Sequence, residues 1–212
     1  MPNITPINEE VLWRNFKCGD EQAFAQIYHT YFQALYTYAS KFSPDKDLVK
    51  DCIHDLFIDL WDKRQNLKEL LSIKYYLFRA IRNTMLDALR DRKKIVFEYG
   101  QDLERSFEFV FSHEAELIDQ QFMHEQKQRI VEALNELTPR QKEAVFLRFF
   151  HEFSYEDIAA VMMLGVDSAY NLISKALRVM RLHLVQSRSP MPMHVVLSLL
   201  ATVLLQAELL AS

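Results

Sequence analysis

The chain has 212 residues, half of them hydrophobic, with a formal net charge of −4, three glycines, six prolines and two cysteines. That length fits one large domain or two small ones, and the apolar content excludes general disorder. Cys18 and Cys52 cannot make a disulfide framework, and the start MPNITPINEEVLW lacks the charged end and apolar run of a signal peptide, so a reducing cytoplasm is the expected setting. Apolar residues three and four apart recur along most of the sequence and strand-like alternation is scarce. The expected class is therefore all-α: two small helical domains, an acidic linker between them and a hydrophobic C-terminal helix.

Charge is segregated in chain order. Residues 1–62 hold five bases and ten acids, and 63–94 reverse the balance with ten bases and three acids. The first block, 8–94, ends in IKYYLFRAIRNTMLDALRDRKK (73–94), a basic helix carrying two adjacent tyrosines. Such a cluster fits a polyanion, because neutralising phosphates releases counterions, and aromatic rings beside cations suit stacking on unpaired bases. A solvated helix face is equally compatible with the charge, and Tyr76, Phe78 and Ile81 equally fit an ordinary core.

The stretch 95–128 is acidic and weakly periodic, reading as a linker with a short helix near 114–128. The second block, 129–188, opens on Thr138-Pro139-Arg140-Gln141, a capping box with proline at the first helical position. A second box follows at Ser154 to Asp157. A third helix is expected from about Asp167 through Arg181, with Leu172, Ile173, Ala176, Leu177 and Met180 on its apolar face and Asn171, Lys175, Arg178 and Arg181 on another. A short helix, a tight turn and a longer helix with a basic polar face describe a helix-turn-helix, whose probe helix enters the major groove. A plain three-helix bundle is the competing description.

The tail, 189–212, contains MHVVLSLLATVLLQAELLAS, in which Val195–Leu205 carry nothing more polar than Ser198 and Thr202. A helix from Val195 to Ala211 would be about 26 Å long, short of the roughly 30 Å hydrocarbon core. His194, Ser198, Thr202 and Gln206 fall at i+4 steps and form one polar stripe. Docking on protein is the expectation, ahead of a membrane anchor.

Taken together, the blocks DEQAFAQIYHTYFQALYTYASKFSPDKDLVKDCIHDLFIDLWDKR with IKYYLFRAIRNTMLDALRDRKK, and LNELTPRQKEAVFLRFFHEFSYEDIAAVMMLGVDSAYNLISKALRVMR, resemble bacterial RNA polymerase sigma factors of the extracytoplasmic-function group. The first resembles the family's region two, including its Phe-x-x-x-Trp pattern at Phe57 and Trp61; the second resembles region four. The resemblance implies an alternative sigma factor that takes core polymerase to promoters and helps open them. Its implied partners are bacterial core RNA polymerase, promoter DNA and an anti-sigma factor, with no cofactor and no metal.

By the same resemblance Tyr75, Tyr76, Arg79, Arg82, Asn83, Asp87 and Arg90 would meet the −10 element. Ser168, Tyr170, Asn171, Ser174, Lys175, Arg178 and Arg181 would meet the −35 element, and Asp51, Asp55, Leu56, Phe57, Asp59 and Trp61 the polymerase. A core role for Phe57 and Trp61, with only the acids at the interface, stays open. The family has glycine where this chain has Glu152 and Met163, so either these turns use other geometry or Gly165 takes over. Asp167, at the start of the probe helix, favours the helix dipole but repels DNA phosphate. His54 stands where the family's glutamine is expected.

Two other functions compete: a helix-turn-helix regulator acting without polymerase, and a helical sigma-sequestering adaptor. An enzyme is not expected, since there is no phosphate-cradling glycine loop, metal-ligand motif or nucleophile constellation.

Overall fold

The structure, a computed structural model, describes residues 9–68, 72–95, 107–109 and 121–185, apart from the side chains of 93–95, 121–127 and 185. The chain divides into two compact units, Met1–Tyr99 and Gly100–Ser212. Every regular element among the described residues is helical.

Unit one contains α1 (Glu9–Lys17), α2 (Glu21–Ala39), α3 (Lys46–Lys63), a 3₁₀ turn at Arg64–Asn66, and α4 (Ile73–Ile95). Helix α2 packs on α1, α3 and α4, and α3 packs on α4. Apolar positions at helical spacing supply the core: Trp13 and Phe16 from α1, Ile27, Leu35 and Tyr38 from α2, Ile53, Phe57 and Leu60 from α3, and Leu77, Phe78, Ile81 and Met85 from α4 are all buried. Cys52 is buried among them and Cys18 is exposed, both as free thiols.

Short-range chemistry sets the turns. Gly19, at φ 90°, closes α1, and Asp20 then caps α2 by accepting from the Gln22 amide at 2.8 Å. Asp45 caps α3, accepting from the amides of Asp47 and Leu48 at 3.1 and 3.0 Å. Its second oxygen holds Arg92 of α4 at 2.7 Å, and that guanidinium, with the amide bonds, keeps the Asp45 carboxyl below the usual carboxylate range. Glu9 clips three helices together: one oxygen accepts from the Tyr31 hydroxyl at 2.7 Å and the other from the Ile73 amide, 3.1 Å away at the start of α4. Burial first, then this hydrogen bond and the Glu9 charge, push the Tyr31 hydroxyl pKa above its ordinary value.

Unit two contains α5 (Gln121–Asn135), α6 (Pro139–Phe149), α7 (Tyr155–Met162) and α8 (Val166–Val185), with α8 packed on the other three. Both expected capping boxes are present. The Thr138 hydroxyl accepts from the Gln141 amide while the Gln141 side chain accepts from the Thr138 amide, and Ser154 and Asp157 make the same exchange. The helix expected near 114–128 is described from Gln121 onward and continues to Asn135.

Residues 107–109 add a contact that the charge count of 95–128 does not suggest. Phe107 and Phe109 are buried, their rings 5.7 and 6.1 Å from that of Phe146 on α6. Glu108 between them ion-pairs with the buried Lys142. Part of the acidic stretch is thus anchored to unit two.

The two turns lacking glycine give a direct result. Glu152 and Met163 both adopt left-handed backbone, at φ 59° and 55°, while Gly165 does not. Neither other geometry nor relief by Gly165 is used. Such residues cost about 1 kcal/mol each, offset here by the hydrogen bonds the turn closes, such as Leu164 N–H to Ala159 C=O at 2.8 Å.

Candidate nucleic-acid interface

Helix α4 aligns four of its polar residues as one stripe. Arg79, Asn83, Asp87 and Arg90 lie four, four and three residues apart and so share a face. Arg79, Asp87 and Arg90 are exposed and Asn83 is half-buried. Asp87 and Arg90 pair with each other on the surface, so the acid orients a cation instead of standing alone. Tyr75 and Tyr76 are half-buried near the helix start; the Tyr76 ring lies 6.0 Å from Trp13, and burial raises its pKa.

Arg82 departs from its expected role. It is only 2% exposed, among the largest fully buried side chains of the molecule, so it serves the interior of unit one and does not line the stripe. The family resemblance set it beside Arg79 and Asn83; its burial removes it from solvent.

Helix α3 carries the acidic face. Asp51, Asp55 and Asp59 are exposed at i+4 steps, with His54 and Asp62 also exposed, and Lys63 pairs with Asp59 at 2.6 Å. Leu56 and Phe57, expected at the same surface, are instead 6% and 3% exposed. The Phe57 ring packs against Tyr28 at 4.8 Å and Phe24 at 6.1 Å, so it is core, as the competing description had it. Trp61 is half-buried beside Phe24, with the Arg64 guanidinium 4.2 Å over its ring. The exposed apolar residue of this face is Ile58, which the sequence reading missed. Its position off the Ile53, Leu56 and Leu60 line was the signal available.

On α8 every expected contact residue is outward. Ser168, Tyr170, Asn171, Ser174, Lys175, Arg178 and Arg181 are all exposed, while Ala169, Ile173, Ala176 and Met180 are buried on the opposite side. Tyr170 is held by Tyr155 of α7, ring centroids 5.3 Å apart. Tyr155 in turn lies under the Arg148 guanidinium at 5.0 Å, and Arg148 donates to the Phe153 carbonyl at 2.7 Å. At the far end Arg129 of α5 donates to the Leu184 carbonyl at 3.1 Å, satisfying part of the last turn of α8.

Among the described residues no group of His, Cys, Asp or Glu could hold a metal ion, and no helix is long and apolar enough to cross a membrane. The tail 189–212 lies outside the described residues.

Comparison with known proteins finds two matched regions along the chain. Residues 27–95 match the family described as Sigma-70 region 2, and residues 127–180 match Sigma-70, region 4; together these spans cover more than half the chain. The chain is similar to the ECF RNA polymerase sigma factor SigX of Bacillus subtilis, 23% identical over 171 residues that cover 77% of this chain and 84% of the relative. It is also similar to the RNA polymerase sigma factor NccH of Alcaligenes xylosoxydans xylosoxydans, 26% identical over 179 residues, 81% of this chain and 91% of the relative. In fold it resembles CnrH, solved in complex with the cytosolic domain of CnrY, with a TM-score of 0.57 and 22% identity over 84% of this chain and 99% of that one. RpoE of Bartonella quintana, solved with the anti-sigma factor NepR, gives a TM-score of 0.57 and 24% identity, covering 79% of this chain and 99% of that one.

Proposed function

This chain belongs to the extracytoplasmic-function group of bacterial RNA polymerase sigma factors and directs core polymerase to promoters, and on that premise we propose how its surfaces divide the work. Residues 8–94 form the region that meets core polymerase and the −10 element. Residues 129–188 read the −35 element, and the acidic stretch 95–128 links them. The chain supplies recognition and strand capture, and no chemistry of its own.

The observation that carries the division is the opposed character of two faces in unit one. Helix α3 exposes Asp51, Asp55 and Asp59 in a row, and α4 aligns exposed Arg79 and Arg90, the latter paired with Asp87, with half-buried Asn83 in another. An acidic row cannot approach phosphate, so it suits a basic protein surface, and we assign it with Ile58 to the polymerase. The basic row suits DNA phosphates, with Tyr75 and Tyr76 near bases that leave the stack. A regulator acting without polymerase has no use for the acidic row.

The relatives held by CnrY and by an anti-sigma factor support an anti-sigma partner for this chain as well. The apolar pattern of 189–212 favours docking on protein, in a cytoplasmic setting, where it would mask a binding surface. Removing residues 190–212 is then expected to raise core binding; an unchanged affinity in a soluble, folded truncation would reject masking.

The division is tested by titrating the full chain into bacterial core polymerase at two salt concentrations. Asp55→Lys with Asp59→Lys is expected to weaken binding at least tenfold while helicity is retained. Unchanged affinity in that folded variant would overturn the assignment of α3.

A further inference from the structure

The first turns of α8 have a chemistry unlike the rest of that helix. From Val166 to Ser174 there is no basic residue, and the cations begin at Lys175. Its exposed residues are instead two apolar side chains, one carboxylate and three neutral polar groups: Val166 is 45% exposed, Tyr170 55%, Asp167 is exposed between them, and Ser168, Asn171 and Ser174 are exposed alongside. In a helix-turn-helix it is the N-terminal part of the probe helix that reaches base edges, while later turns run out toward the backbone.

We propose that this tip reads pyrimidines, with Asp167 accepting from the N4 amino group of a cytosine and Val166 and Tyr170 packing on thymine C5-methyl groups in the major groove of the −35 element. This rests on the assignment of 129–188 to that element. Guanine is read through its N7 and O6 acceptors, which call for Arg or Lys, and the tip has neither. A carboxylate is an acceptor only. In the major groove the amino donors are cytosine N4 and adenine N6, and adenine sets an N7 acceptor beside its amino group, which repels a carboxylate; cytosine does not. The exposed apolar pair matches the one apolar group the major groove offers, the thymine methyl.

Two features make the tip workable beside a polyanion. The positive end of α8 stabilises a carboxylate in its first turn, and Lys175, Arg178 and Arg181 on the same helix can neutralise phosphates. Tyr170 is also pre-positioned, because its ring rests on Tyr155, which is itself fixed under Arg148. An ordered ring loses little freedom on contact. Asp167 thereby changes from a residue that only repels DNA into one that selects which base pair can approach.

The test is run-off transcription by core polymerase with the full chain, on a promoter pool randomised across the upstream element, followed by sequencing of the transcribed templates. The wild-type chain is expected to enrich a cytosine flanked by thymine on one strand. Asp167→Asn is expected to shift that one position from cytosine toward adenine by about fivefold or more, since Asn pairs with adenine N6 and N7. Replacing the enriched thymines by deoxyuridine, which removes only the methyl, should cost the wild-type chain about fourfold per contacted base. A wild-type preference without cytosine, identical preferences for wild type and Asp167→Asn, or indifference to deoxyuridine would each overturn the proposal. No transcript above core polymerase alone would instead remove the sigma-factor premise, and the inference with it.

Discussion

Helices α4 and α8 are both long, both basic, and both assigned to promoter DNA, yet they carry their functional residues differently. All seven residues expected to face DNA on α8 are exposed, whereas the seven on α4 include a fully buried Arg82, three half-buried residues and an Asp87–Arg90 pair. Helix α8 packs on α5, α6 and α7, yet all three neighbours meet the side of Ala169, Ile173, Ala176 and Met180, and the seven expected residues lie off it. Helix α4 packs on α2 and α3 but turns one of its cations, Arg82, inward and leaves only a narrow exposed stripe. A cation count therefore measures the outward face well on a helix whose cations all lie off its packed side, and overstates it on one that buries a cation.

That contrast is broken most sharply by exchanging a cation on each helix for alanine. Arg82→Ala is expected to destabilise unit one by about 3 kcal/mol or more, combining a cavity with the polar groups left behind. Arg178→Ala, on an exposed face, should stay within about 0.5 kcal/mol of wild type in stability while lowering the salt slope of DNA binding by about 1. Denaturant unfolding and anisotropy titrations across salt read both; equal stability losses would erase the distinction.

A middle-sized effect belongs to the clip that positions α4. Tyr31→Phe removes the hydroxyl held by Glu9 and should cost about 1 kcal/mol at neutral pH. The sign with pH follows from the raised pKa of Tyr31. Folding favours the protonated hydroxyl, so its contribution is complete below the ordinary tyrosine value near 10 and is lost as pH climbs above it. Wild type is expected to lose stability in strong alkali more steeply than Tyr31→Phe, and parallel profiles would show that the clip carries no such linkage.

The smallest effect is a gain in unit two. Met163→Gly should stabilise by up to about 1 kcal/mol, because Met163 is 53% exposed and held at φ 55°, so strain is relieved and little packing is lost. Glu152→Gly should act in the same direction. Thermal unfolding checks both, and a lowered midpoint would mean that these side chains make contacts worth more than the strain.

What could be read from the residues alone follows physical range. Thr138 with Gln141 and Ser154 with Asp157 announced two helix starts because a capping box closes within four residues. The outward positions of Asn171, Lys175, Arg178 and Arg181 were equally legible from the period of α8. Arg82 was not, because its burial depends on the tertiary packing of α4, and the choice between core and interface for Phe57 waited on Phe24 and Tyr28 of α2. Phe107 and Phe109 were hidden for a related reason: two aromatic residues in an acidic, aperiodic stretch find their partner, Phe146, nearly forty residues away. The family's glycines marked the turns at Glu152 and Met163, but the side chains argued against left-handed backbone; it is kept because the hydrogen bonds around each turn set the geometry and a Cβ tolerates it at modest cost.

The most direct test of the central claim is run-off transcription from a pool of candidate promoters with bacterial core polymerase and the full-length chain, alongside an Asn83→Ala/Arg90→Ala variant. Promoter-dependent transcripts are expected with the wild-type chain and should be lost with the double variant, while core binding is kept. Absence of both transcripts and core binding from a soluble, folded wild-type chain would contradict it.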